Sequence, residues 1–199
     1  MPVIKSICVY CGSGFGDDPV FAQNAAALGR AMAERGINLV YGGGNVGLMG
    51  TVAQSVLDHG GYVTGIIPDF LKAREKLLED VQETITVPDM HTRKQLMFEK
   101  ADAFVALPGG IGTLEELVEQ MTWAQLGRHT KPILMLNIKG FWKPLLSLLA
   151  HMRNEGFIRP GLELSYLVAE QVGDVIPMLE ASARRVGLRA DEGMIEQQF

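Results

Sequence analysis

AFVALPGGIGTLEE, residues 103–116, is the stretch on which the reading of this chain turns. An apolar run gives way to a proline and three glycines, then to a helix-forming segment that opens with two glutamates. A buried strand that ends in glycines and passes at once into a helix is the corner of an α/β sheet. Glycines at such a corner bring the backbone close to something, often a phosphate held at a helix amino terminus. Glutamate is a poor neighbour for phosphate, so Glu115 and Glu116 need a reason of their own. A local one exists. With Thr113 as N-cap, Glu116 falls at N3, and the segment reads as a capping box in which each residue satisfies the other's free amide. Leu114, Leu117, Val118 and Met121 then form the apolar stripe, with Glu115, Glu119 and Thr122 on a solvent face.

Outward from this corner, short apolar runs alternate with segments of helical period. IKSICVY (4–10), INLVYGG (37–43), YVTGIIP (62–68), QETITVP (82–88), AFVALPGG (103–110), PILMLN (132–137) and YLVA (166–169) read as strands. Helical segments lie between them, and a last helix is expected near DVIPMLEASARR (174–185). The alternation predicts a single α/β domain of Rossmann-like type, its mainly parallel sheet covered by helices on both faces. Ligands of such sheets bind beyond the carboxyl ends of the strands. Three glycine-rich loops fall at that edge: CGSGFGDD (11–18), YGGGNVGLMG (41–50) and PGGIGTLEE (108–116).

Several functions are disfavoured by what the loops lack. A nicotinamide or flavin site needs G-x-G-x-x-G after the first strand and an acidic residue ending the second. Here Gly12, Gly14 and Gly16 have the wrong spacing, and the second strand ends in Tyr41. A phosphate loop of the nucleoside triphosphatases would place lysine where Leu48 stands. Cys8 and Cys11 have C-x-x-C spacing, but they sit in a strand and not at a helix start, so they read as ordinary reduced thiols. The four histidines are scattered, and neither a metal nor any other cofactor is expected. With 199 residues, 47% of them hydrophobic, and a net charge of −5, the chain suits one domain without a general pull toward nucleic acid or anionic membrane. No apolar run approaches the roughly 20 residues of a spanning helix. The amino terminus has no signal-peptide pattern, so a cytoplasmic protein is expected.

MHTRK (90–94) adds the cations. Arg93 and Lys94 stand at the start of a helix, the end that the dipole makes unfavourable for positive charge. An anion in the cleft would explain them. Their helix leads directly into the strand that carries the 108–116 loop. Glycine amides for phosphate, a guanidinium and a carboxylate facing a sugar then make one nucleotide site.

The pairing of MHTRK with PGGIGTLEE resembles the LONELY GUY family of cytokinin riboside 5′-monophosphate phosphoribohydrolases, long labelled lysine decarboxylases. The likeness runs from CVYCGSG at residue 8 through YGGGNVGLMG and TWAQLG to about residue 158. It implies a Rossmann-like fold, a homodimer, and hydrolysis of the N-glycosidic bond of AMP-type nucleotides to free base and ribose 5-phosphate. By motif, the family's arginine and glutamate needed for activity fall on Arg93 and Glu116. Its other nucleotide contacts fall on Lys94 and on Gly109, Gly110, Ile111, Gly112, Thr113, Leu114 and Glu115. Glu75 and Thr122 complete the set. Residues 1–185 are expected to form the Rossmann-like phosphoribohydrolase domain, with 186–199 a flexible tail. Arg93 is expected to grip phosphate or hydroxyls through paired hydrogen bonds. A nucleotide or cofactor carrier of related fold is the alternative, and it would have no need of Arg93 and Glu116 together. No lysine stands in a setting recognisable for a pyridoxal Schiff base.

Overall fold

A computed structural model describes residues 4–72, 78, 80–158 and 164–196, with side chains as far as 186. The strands are β1 (Ser6–Tyr10), β2 (Asn38–Tyr41), β3 (Val63–Pro68), β4 (Glu83–Val87), β5 (Ala103–Ala106), β6 (Ile133–Leu136) and β7 (Leu167–Ala169). Between and after them run α1 (Val20–Glu34), α2 (Gly47–Asp58), the short α3 (Asp69–Lys72), α4 (Met90–Lys100), α5 (Ile111–Gln125), α6 (Lys143–Asn154) and α7 (Val172–Glu196). All strand pairs are parallel, in the order β4-β3-β2-β1-β5-β6-β7.

Successive strand residues point to opposite faces, and both faces are apolar here, which is why the strands read as unbroken hydrophobic runs. Ile7 and Val9 of β1, Ala103 and Val105 of β5, and Leu134 and Leu136 of β6 join one core layer. Ala25, Leu28 and Met32 of α1, Val52 and Val56 of α2, and Val175, Ile176 and Leu179 of α7 pack on it. Cys8, Tyr10, Phe104, Ala106, Ile133 and Met135 point to the other layer, covered by Met97 of α4, Leu117 and Met121 of α5, and Leu149 of α6. Cys8 and Cys11 therefore face opposite layers, both free and buried. Burial pushes both thiols well above the usual range, which removes any redox character from the C-x-x-C spacing. Met121 and Trp142 are core residues, while Phe141 is partly exposed. No helix of the described residues is long and apolar enough to cross a membrane.

The order of the sheet reverses between β1 and β5. From β1 the chain moves outward through β2 and β3; from β5 it moves the other way through β6 and β7. The loops after these two strands part at that point and leave a crevice, where open parallel sheets bind ligands. Two elements differ from the expectations. The last helix extends beyond residues 174–185 on both sides, from Val172 to Glu196. Helix α5 begins at Ile111, with Gly110 as its N-cap.

Candidate functional site

That shifted start overturns the capping box. Thr113 is the third residue inside the helix and no cap, and Glu116 stands one residue short of the second turn's end; no side chain caps the terminus. The amides of Ile111, Gly112 and Thr113 belong to the first turn, which has no intrahelical acceptors. A glycine N-cap adds no side-chain acceptor to cover them. Such an uncapped amino terminus is an anion-binding arrangement. Gly109 is required by packing: a Cβ there would lie 2.2 Å from Thr113 Oγ1 and 2.8 Å from the Gly12 amide nitrogen. The loops after β1 and β5 touch at this point, and Gly12 N donates to Pro108 O at 3.1 Å.

A recess of about 350 Å³ opens at the crevice, between Gly12–Gly16 and Pro108–Gly110. Phe15, Phe21, Phe141 and Leu48 line it with apolar surface. Phe21 and Phe141 meet edge to face at 6.1 Å, and Lys139 pairs with Asp18 to bridge the loops after β6 and β1.

Beside the recess lies the charged part of the cleft. Asp89 caps α4 by accepting from Thr92 N at 2.8 Å, and its carboxylate offsets part of the dipole that disfavours the cations behind it. Arg93 is 8% exposed. Its Nε donates to Ile66 O at 3.1 Å and its Nη2 to Gly42 O at 3.2 Å. Its Nη1 lies 4.0 Å from Glu116 Oε1. The side chain of Glu116 is only 12% exposed. Burial pushes its carboxyl up to about 7, with Arg93 pulling against that rise and Glu115 adding to it. A carboxyl poised near neutrality can hold or release a proton at working pH.

Lys94 bridges the helices: its Nζ donates to Glu115 Oε1 at 2.6 Å and to Glu119 Oε1 at 2.9 Å. Burial alone would lower its pKa, but the two carboxylates outweigh burial and raise it. Glu119 is thus half-buried and paired, contrary to the solvent face expected of it. Thr122 is exposed on that face, and its hydroxyl donates to Val118 O. Ile111 and Gly112 are exposed, Leu114 is half-buried, and Thr113 is buried. Glu75 lies outside the described residues. The structure therefore gathers Arg93, Lys94, Glu115, Glu116 and the 109–113 loop, with Thr122 further along α5. Sequence reasoning missed the partners of Arg93, the carbonyls of Gly42 and Ile66. The glycine run 42–44 was the available signal.

A family described as "possible lysine decarboxylase" matches residues 49–179. A cytokinin riboside 5′-monophosphate phosphoribohydrolase of Arabidopsis thaliana is 48% identical over 176 residues, covering 88% of this chain and 81% of that protein. One of Oryza sativa subsp. japonica is 46% identical over 192 residues, covering 96% of this chain and 79% of that protein. Among solved structures, the molybdenum cofactor binding protein of the phototrophic bacterium Rippkaea orientalis superimposes with a TM-score of 0.66 at 24% identity, covering 91% and 98% of the two chains. The molybdenum cofactor carrier protein of Chlamydomonas reinhardtii gives 0.65 at 21%, covering 89% and 96%. At such identities the two structures speak for the fold alone.

Proposed function

This chain belongs to the family of cytokinin riboside 5′-monophosphate phosphoribohydrolases, and from that premise we propose that its cleft hydrolyses the N-glycosidic bond of AMP-type nucleotides. The substrates are AMP and its N6-prenylated forms; the products are the free base and ribose 5-phosphate. The reading is carried by Glu116: a largely buried carboxyl poised near pH 7, in the second turn of a helix whose uncapped terminus suits phosphate.

The 5′-phosphate sits on the open amides of the 109–113 loop, and Glu115, Thr122 and Glu75 contact the rest of the nucleotide, away from the phosphate. Lys94 and Arg93 bring positive charge to the same cleft. Breaking the bond from C1′ to the base nitrogen builds positive charge on the ribose. The Glu116 carboxylate stabilises that charge and orients the attacking water. The bond electrons leave with the base. Water supplies its hydroxyl to C1′, and its proton balances the departing base, so one water is consumed. The anchored phosphate contributes binding energy remote from the reacting bond, which favours a monophosphate over a nucleoside. The aromatic recess at the crevice offers space for an N6 substituent, and each methylene it buries adds ~0.8 kcal/mol.

The working unit is a homodimer. Ile111 (82% exposed) and Val118 (41%) of α5 and its C-cap Leu126 (72%) recur at seven- and eight-residue spacing, a stripe that suits a second copy. The test is release of base from a panel of nucleotides. AMP and N6-isopentenyl-AMP should both be cleaved, the latter with higher kcat/KM, and adenosine poorly. Absence of free base from both nucleotides overturns the reading; adenosine cleaved as fast as AMP overturns the phosphate anchor.

A further inference from the structure

Arg93 stands on the face that α4 turns toward the sheet, one turn before the core residue Met97. A charge in that position needs compensation. Two of its three nitrogens are engaged by backbone: Nε by Ile66 O and Nη2 by Gly42 O. Ile66 lies just past the point where β2 stops pairing with β3, at Tyr41 opposite Gly65. The third nitrogen, Nη1, faces Met90 Sδ at 3.8 Å and Glu116 Oε1 at 4.0 Å.

Gly42 gives this arrangement its second support. A Cβ on Gly42 would stand 1.9 Å from Arg93 Nη2 and 3.1 Å from Cζ. Unlike Gly43, with φ 84°, Gly42 does not have a left-handed backbone. It is glycine because the guanidinium lies against it. The arrangement is a built seat, aimed at Glu116.

We propose that Arg93 is a positioning residue, seated on the Gly42 and Ile66 carbonyls, that holds the Glu116 carboxylate in its reactive place and does not grip the substrate phosphate. This rests on the phosphoribohydrolase reading, and it assigns Arg93 a different task from a phosphate contact. The charged and titratable groups coupled to Glu116 are Arg93 and Lys94 from α4, Glu115 and Glu119 from α5, Cys8 and Tyr10 from β1, and Cys11 just after it. Burial pushes the two thiols and the phenol upward, so they are neutral. Arg93 is the foremost of the charges that lower Glu116. Removing it moves the titration of Glu116 to higher pH.

The experiment uses the full chain and two variants, Arg93→Met and Gly42→Ala, with three readouts: base release from AMP between pH 5 and 9, affinity for ribose 5-phosphate by calorimetry, and the Glu116 titration by carbon-13 NMR. For Arg93→Met, ribose 5-phosphate affinity should stay within about three-fold of the parent, while the acid limb of kcat and the NMR titration both move up by about one pH unit or more. For Gly42→Ala, which keeps every charge, kcat should fall by ~10²-fold, the scale of an ångström of misplacement, with affinity again held. A ten-fold loss of ribose 5-phosphate affinity in either variant, an unmoved titration in Arg93→Met, or an unchanged kcat in Gly42→Ala overturns the proposal. Should Arg93→Met fail to fold, Gly42→Ala alone decides it. A parent that releases no base from AMP refutes the hydrolase reading instead, and the NMR titration still tests the seat.

Discussion

Glu116 sets function against stability on a single side chain. Its folded value of about 7 lies above the ordinary 4.5 because burial favours the neutral acid. The folded state therefore binds the proton more tightly than the unfolded chain. Stability from this group is fully present below about pH 4.5 and is lost as pH rises through 7. A glutamine mimics the neutral acid at every pH. Glu116→Gln should raise the stability of the fold at pH 8 by roughly 1–3 kcal/mol, with the gain fading toward pH 4.5. The same change should lower base release from AMP by ~10²–10³-fold while nucleotide binding stays measurable. Denaturant melts at pH 5 and 8, beside turnover, check both halves. A folded variant with parental turnover would remove Glu116 from the chemistry. Activity that depends on the ionised carboxylate should rise as pH passes through about 7, which a pH–rate profile of the parent measures.

Helices α4 and α5 are held at the site by Lys94, whose Nζ bonds carboxylates on the second helix at positions 115 and 119. Glu119 Oε2 is buried without a hydrogen-bond partner among the described residues. Removing the cation would strand a partly buried carboxylate. Lys94→Ala should lower stability by roughly 1–3 kcal/mol, and adding Glu119→Gln should restore more than half of that loss. A Lys94→Ala protein with parental melting, impaired only in substrate affinity, would leave Lys94 a contact and no brace. At this scale the sequence was uneven to read. Strand and helix order was legible because strands buried on both faces appear as continuous apolar runs, as in AFVAL and ILML. The start of α5 was not: glycine at the N-cap leaves no side-chain signature, while Thr113 and Glu116 three residues on imitate one. The uncapped first turn was hidden behind its own counterfeit.

At the scale of the molecule, the cleft is assembled from segments far apart in the chain. Arg93 takes its partners from 27 and 51 residues away, and no local pattern encodes such pairings. What could be read was that three glycine-rich loops share the carboxyl edge of one sheet; which glycine admits which side chain needed the fold. The same topology says which parts of the chain the cleft can do without. Its walls come from the loops after β1, β2, β5 and β6 and from the first two turns of α4 and α5. Helix α7 packs behind them on the opposite layer from α4 and α5, and its buried residues among the described side chains, which reach residue 186, are Val175, Ile176 and Leu179. We propose that residues 1–185 form the working domain and that 186–199 are dispensable to it. A chain ended after residue 185 should melt within about 4 °C of the full-length protein, a difference of ~1 kcal/mol for a domain of this size. It should release base from AMP within about two-fold of the parent rate. Light scattering on the same sample separates the two ways this could fail. Lost activity with an unchanged oligomeric state would place the last residues in the domain's own stability, whereas lost activity with a smaller assembly than the parent's would place them at a contact between copies.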